Sequence, residues 1–175
     1  VLLRAVAASR HRENIRLILA GKGPREKALQ KLAKKLNVPV TMAFFPKDAL
    51  LSTIARSDLY VHAADVEIEA MSGMEAIACG LVPVIADSRK SATPQFALDG
   101  HSLFEAGNPQ ALAEKIDFWI EHPKERVEME RRYGELGKRY ALDECVRQAE
   151  AMFLQAVEEQ AQERGEEERV WTSEQ

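Results

Sequence analysis

The chain is short of most features that would announce a chemistry on their own. Its 175 residues include two cysteines, Cys79 and Cys145, too few for a disulfide scaffold, and they read as reduced thiols in a cytosolic setting. Aromatic residues make up only 6 %, and no apolar run approaches the roughly 20 residues that a membrane-spanning helix needs. A basic excess is also lacking. Lys and Arg total 24 against 28 Asp and Glu, a formal net charge of −4, which argues against a general nucleic-acid binder with its basic face. There is no Gly-x-Gly-x-x-Gly fingerprint, no Gly-x-x-x-x-Gly-Lys-Ser phosphate loop, no Asp-x-Asp metal motif and no internal repeat. What is present is 46 % hydrophobic residues, enough for one core in a chain of ordinary domain length. The opening Val1-Leu2-Leu3-Arg4-Ala5-Val6 already has mid-helix character, and we expect a longer protein of which this chain is part.

Apolar residues come in short runs that alternate with helical patterns. Residues 1–9 have helical spacing, 15–20 form an apolar run closed by Gly21-Lys22-Gly23-Pro24, and 25–36 read as an amphipathic helix with Pro24 at its first position. Its apolar face is drawn by Ala28, Leu29, Leu32 and Leu36. Strands are then predicted at 40–45, 59–63, 82–86 and 102–104, with Pro83 loosening the placement of the third. Helices are predicted at 47–56, 73–79 and 110–121, the last begun by Asn108-Pro109. Such alternation implies a parallel sheet covered on both faces, a doubly wound α/β fold. Beyond residue 122 the chain reads as helical and highly charged. Cys145, Ala149, Phe153 and Val157 mark one buried side of a helix over 142–159, followed by a solvated tail in which Trp171 is the one docking candidate.

Ligands of doubly wound sheets bind beyond the carboxyl ends of the strands. Three loops qualify, at 21–23, 65–72 and 87–95. The first is glycine-rich, which suits close approach of a ligand but equally a plain turn. The second places Asp65, Glu67 and Glu69 ahead of a helix with no cation among them, an arrangement suited to a cationic partner, a divalent metal or a hydroxyl-rich ligand. Ser72-x-x-Glu75 matches a capping box, so Glu75 has a structural role open to it as well.

Glu67 and Glu75 enclose seven residues, and Ala76-Ile77-Ala78-Cys79-Gly80-Leu81-Val82-Pro83-Val84-Ile85-Ala86 follows. This resembles the Glu-x7-Glu motif and the segment after it in retaining GT-B glycosyltransferases of family GT4. Leu17-Ile18-Leu19-Ala20-Gly21-Lys22-Gly23-Pro24 and Ala55-Arg56-Ser57-Asp58-Leu59-Tyr60-Val61 resemble further parts of that family, and the likeness runs from residue 1 to about 160. The resemblance implies a Rossmann-like, nucleotide-sugar-binding GT-B C-terminal domain over 1–140 with its first strand missing. A C-terminal helix over 141–162 and a charged tail over 163–175 follow it.

It implies that Glu67 lies by the donor sugar as the catalytic carboxylate and that Glu75 accepts hydrogen bonds from the ribose hydroxyls. Ser72, Gly73 and Met74 would open the helix that faces the diphosphate, Gly73 allowing close approach. Gly21, Gly23 and Phe45, with Phe44, would lie by the base. The implied donor is a UDP-sugar, used without a metal and without any other cofactor. The remaining partner is an acceptor domain of the same protein, not part of this chain, as are the family's diphosphate-binding Arg and Lys. Ile68-Glu69-Ala70 stands where the family usually has Gly-Phe-Gly. Together with the loop over 88–93, it is similar to lipid and capsular-polysaccharide hexosyltransferases. In that loop Arg89 and Lys90 are candidates for a phosphate or lipid head group. The location implied is cytoplasmic, with peripheral membrane association of the longer enzyme. A non-catalytic nucleotide-binding module and a sugar-nucleotide epimerase of the same architecture are the alternatives.

Overall fold

In the computed structural model the backbone is described to residue 173 and side chains to residue 162. Two units result, residues 1–137 and 138–175.

The first unit alternates helix and strand as the periodicity predicts. It contains α1 (Leu2–Ala8), β1 (Leu17–Ala20), α2 (Glu26–Leu36), β2 (Val40–Ala43), α3 (Lys47–Ile54) and β3 (Leu59–His62). It continues through α4 (Met71–Ala78), β4 (Val82–Asp87), β5 (Leu103–Glu105), α5 (Pro109–Glu121) and α6 (Pro123–Lys138), whose last residue falls in the second unit. All strand pairs are parallel, so every strand's carboxyl end feeds a loop on the same edge of its sheet. The strands form two ladders, β1-β2 and β3-β4-β5, and β1 and β3 each pair on one side only.

β4 is the centre of the larger ladder, with Val82 to Ala86 all buried. Pro83 therefore stands firmly in the sheet, contrary to the loose expectation. The register gives the reason: β5 pairs only with Ile85 to Asp87, so at Pro83 the strand has a neighbour on one side alone. Ile77, Val84, Phe104, Leu112, Ile116 and Trp119 form the middle of the core around it. Tyr133 of α6, fully buried, accepts a hydrogen bond from Leu98 N–H at 2.9 Å and donates to Ser102 Oγ at 2.9 Å. α6 lies close against the end of α4, where a Cβ on Gly137 would come within 2.8 Å of Ala78 Cα. At the other end of the core, buried Asp117 of α5 accepts hydrogen bonds from Ser9 Oγ and Arg10 N–H, fastening α1 to α5.

Some boundaries differ from expectation. α2 begins at Glu26 with Arg25 as its cap residue, because Pro24 belongs to the turn in which Gly23 C=O accepts Glu26 N–H. Its buried residue is Ala33, with Leu32 and Leu36 partly buried, whereas Ala28 and Leu29 are exposed. Asn108 caps α5 as expected, accepting from the N–H groups of Gln110 and Ala111.

The second unit is dominated by α7 (Leu142–Ser173), which is the helical C-terminal extension. The buried side expected there is not seen. Cys145, Phe153 and Val157 are exposed, with Phe153 at 65 % and Val157 at 66 %, and Ala149 is half-buried. The expected tail over 163–175 and Trp171 lie outside the described side chains.

Candidate functional site

The acidic loop after β3 is tied to the loop after β4, residues separated by more than twenty positions in sequence. Ser88, buried, donates to the Asp65 backbone and side-chain oxygens at 2.7 and 2.8 Å. Lys90 Nζ sits 3.4 Å from Asp65 Oδ2. The Ser88 hydrogen bond, and after it the Lys90 charge, hold the Asp65 carboxyl below the usual carboxylate range. Glu67 N–H donates to Lys90 C=O at 3.3 Å, and Ala92 N–H donates to Glu67 C=O at 3.0 Å, a one-residue parallel bridge between the loops. The acidic cluster is thus not free of cations. Lys90, the candidate for a phosphate or lipid head group, pairs with Asp65 while its side chain stays 70 % exposed.

The Glu67 side chain is held from its own loop. The backbone N–H groups of Ala70 and Ile68, and after them Glu69, hold the Glu67 carboxyl below the usual carboxylate range. The Ile68 bond measures 2.9 Å. Ala70 completes this turn in the left-handed region, at φ 50° and ψ 55°, although it is not glycine. Ala70 is also the cap residue of α4, and it is buried.

This start to α4 displaces the expected capping box. The helix begins at Met71, so Ser72 lies within its first turn and Glu75 one turn further on. Gly73 and Met74 N–H groups both donate to Ala70 C=O, at 2.7 and 3.1 Å, leaving the N–H groups of Met71 and Ser72 at the helix mouth. Ser72 Oγ pairs with Tyr60 Oη at 2.8 Å rather than capping the helix. The Glu75 carboxylate has no hydrogen-bond or ion-pair partner among the described residues. Gly73 does not offer an open face. It is buried, and a Cβ there would meet the Tyr60 ring and Ala70 Cβ, both at 3.6 Å. Met74 is partly buried against the main core.

Beneath the loop, Tyr60 and His62 share one face of β3. Tyr60 Oη lies 3.1 Å from His62 Nδ1, and His62 Nε2 lies 3.9 Å from Glu67 Oε2. Burial pushes the His62 pKa down, opposed by the Glu67 charge. Burial pushes the Tyr60 phenol up, and Glu67 and Glu75 act in the same direction against the Ser72 hydrogen bond. Neither Tyr60 nor Ser88 was among the residues expected at the site. Two-residue spacing on a strand could have placed Tyr60 with His62; nothing local signals the pairing of Ser88 with Asp65.

Gly21, Gly23 and Phe45 lie at the carboxyl ends of the separate β1-β2 ladder. Gly21 takes φ 144° and donates its N–H to Ala43 C=O at 2.8 Å, which pins the glycine turn to the end of β2. Gly21 and Gly23 are exposed, Phe45 is half-buried, and Phe44 is 63 % exposed. Among the described residues no hydrogen bond or ion pair joins this group to the one around Glu67. No three metal-ligating side chains cluster among the described residues. A cleft of about 510 Å³, lined by His101, Phe118 and Trp119, opens near the start of β5, the edge away from these loops.

Several solved structures share this architecture. The catalytic domain of cholesterol-alpha-glucosyltransferase from Helicobacter pylori is 47 % identical, with a TM-score of 0.77 over 79 % of this chain and 87 % of that one. HepE from Anabaena, solved with UDP, is 20 % identical at a TM-score of 0.75, covering 89 % of this chain and 44 % of that one. The pneumococcal O-GlcNAc transferase GtfA, solved with UDP and GlcNAc, is 16 % identical at a TM-score of 0.74, covering 89 % and 32 %. The last two show the fold alone, and the chain spans less than half the length of either. No match was found among curated protein sequences. The family model described as glycosyl transferases group 1 matches residues 1–140, and the chain belongs to that family.

Proposed function

We propose that this chain is the donor-binding domain of a retaining hexosyltransferase that takes a UDP-sugar and transfers the sugar to an acceptor hydroxyl of a glycolipid or polysaccharide. The observation that carries the reading is the pair of carboxylates at the mouth of α4. Glu67 is ionised and fixed from its own backbone, and Glu75 lies one turn into the helix without a partner of its own. An unpartnered carboxylate accepts both hydroxyls of a ribose at once. The diphosphate then faces the Met71 and Ser72 N–H groups, where the helix dipole favours the charge that builds on the leaving group. Glu67 borders the sugar, and Gly21, Gly23 and Phe45 border the base. The cholesterol-alpha-glucosyltransferase relative supports a hexose donor and a lipid acceptor for this chain.

The domain boundaries proposed are 1–140, 141–162 and 163–175. The one-sided pairing of β1 and β3 supports a further strand of the longer protein between them. The acceptor site, the diphosphate-binding cations, a cytoplasmic location and contact with the membrane face all belong to the proposal for that longer protein. No described helix is long and apolar enough to cross a membrane.

Titration calorimetry with UDP and UDP-glucose, in the presence and absence of EDTA, tests the proposal. We expect weak binding insensitive to EDTA and no transfer by the chain alone. Glu75→Ala should weaken UDP binding by about 1–3 kcal/mol, roughly five- to 150-fold. Absence of binding by a folded sample overturns the reading.

A further inference from the structure

Beneath the acidic loop lies a buried polar atom with nothing to bond to. Among the described residues, His62 Nε2 is buried without a hydrogen-bond partner, on a side chain whose residue is 8 % exposed. Buried nitrogens are rarely left so. The atom faces Glu67 Oε2 across 3.9 Å, too far for a hydrogen bond and too near for indifference.

The neighbours of the imidazole fix which nitrogen carries its proton. Nδ1 lies 3.1 Å from Tyr60 Oη, which lies 2.8 Å from Ser72 Oγ. A proton on Nδ1 would leave a bare lone pair on Nε2 facing a carboxylate, two acceptors opposed. If instead the Tyr60 hydroxyl donates to Nδ1, the proton sits on Nε2 and points at an acceptor, which electrostatics favours. The Ser72 hydroxyl then donates to Tyr60. Every link from the first turn of α4 through β3 is directed toward Glu67.

Resting on the reading that Glu67 borders the donor sugar, we infer that His62 is a positioning residue whose Nε2–H closes onto the Glu67 carboxylate when the sugar is bound. The closure needs one carboxylate oxygen to move about 1 Å, from 3.9 Å to an ordinary hydrogen-bond length. At rest the carboxylate is held from the loop side by three N–H groups. His62 offers a second anchor from the strand beneath, so the carboxylate is gripped on both sides while sugar hydroxyls compete for its remaining lone pairs. Because the chain begins at Ser72, the helix turn assigned to the diphosphate and the carboxylate assigned to the sugar are mechanically joined. The charged groups around His62 are few. Glu67 faces it from the loop, Tyr60 and Ser72 are its neutral partners from β3 and α4, Glu75 acts on Tyr60, and Asp65 is neutralised by Lys90.

Two measurements test this, one of which needs no ligand. Long-range proton–nitrogen NMR of the free chain, with His62 assigned by the loss of its signals in His62→Gln, reads the tautomer and the titration directly. We expect the Nε2–H tautomer near neutral pH, and a His62 pKa lowered further in Glu67→Gln, which removes the charge that opposes burial. The Nδ1–H tautomer, or a titration that Glu67→Gln leaves unmoved, overturns the inference. The second measurement is the ratio of UDP-glucose to UDP affinity. His62→Leu should lower that ratio by about three- to tenfold, and His62→Gln, whose amide N–H reaches toward the Nε2 position, should restore most of it. A ratio lowered in Glu67→Gln but not in His62→Leu overturns the role of His62 and leaves Glu67 in place. A ratio unmoved in both overturns the assignment of Glu67 to the sugar, and the inference with it.

Discussion

Residues of β1 alternate between half-buried and exposed, with Ile18 41 % exposed, and no residue of β2 is fully buried, whereas five consecutive residues of β4 are buried. The loops differ in the same way. Beyond β1 the glycine turn is fastened by one backbone hydrogen bond to the end of β2. Beyond β3 and β4 the loops are joined by Ser88, Lys90 and a backbone bridge, with Tyr60 and His62 beneath them. The two carboxylates proposed to hold the donor lie beyond the thicker, three-stranded ladder. The glycine turn, assigned to a flat base, sits where the sheet is thin and the backbone exposed.

One mutation in each half sharpens this contrast. At Gly137 the added methyl of alanine meets backbone on α4, 2.8 Å from Ala78 Cα and 3.0 Å from Ile77 C=O, and neither can swing aside. Gly137→Ala should cost at least the upper part of the roughly 1–3 kcal/mol typical of overpacking. Ile18→Thr in β1 should cost below about 1 kcal/mol, since much of the side chain is already in water. Urea denaturation measures both. Equal costs would mean that covering of the ladder does not set local stability.

Acid should act on the thick half. The folded-state pKa of His62 lies below its ordinary 6.5, so the unfolded chain takes up a proton first. Stability from this group is complete above about pH 6.5 and is lost as pH falls from there toward the folded pKa. Asp65 and Glu67, also lowered, contribute stability present above their unfolded values near 4 and lost as pH falls through the folded ones. All three push the same way, so the chain should unfold more easily in two acid stages. In His62→Gln the upper stage should vanish from a plot of denaturation midpoint against pH while the lower one persists.

How much of this could be read in advance depended on distance along the chain. The alternation of strands and helices, the Asn108 cap and the stop at Gly80, with φ 81°, all follow from neighbours within a few residues. That Glu67 stands in the loop before α4 and Glu75 on that helix was also legible, through the resemblance to the Glu-x7-Glu motif. The tie from Ser88 to Asp65 spans 23 positions and leaves no periodic trace. The capping box failed for a backbone reason: Ser72-x-x-Glu75 has the right composition, but the left-handed Ala70 starts the helix before Ser72. The stripe on α7 shows the converse limit, since apolar spacing tells that a face suits burial and not what buries it.

Left-handed residues occur in both halves, and they give the finest test of the contrast. In the thin half α2 ends at Asn37, φ 52°, a residue type that adopts this region readily. In the thick half the position belongs to Ala70, φ 50°, whose Cβ opposes it at a cost of about 1–2 kcal/mol. Ala70→Gly removes that strain. It also frees the unfolded backbone, worth roughly 0.5–1 kcal/mol, and loses a buried methyl, worth about 0.8 kcal/mol. These terms nearly cancel, so stability should change by less than about 1 kcal/mol in urea denaturation. The N–H groups that hold Glu67 depend on this turn, so the titration of Glu67 followed by carbon NMR is the more sensitive readout. If the left-handed turn serves to aim Ala70 N–H at the carboxylate, glycine preserves the lowered Glu67 pKa. A Glu67 pKa that returns to the ordinary range would show that the methyl, wedged beside Gly73, is what keeps the turn closed.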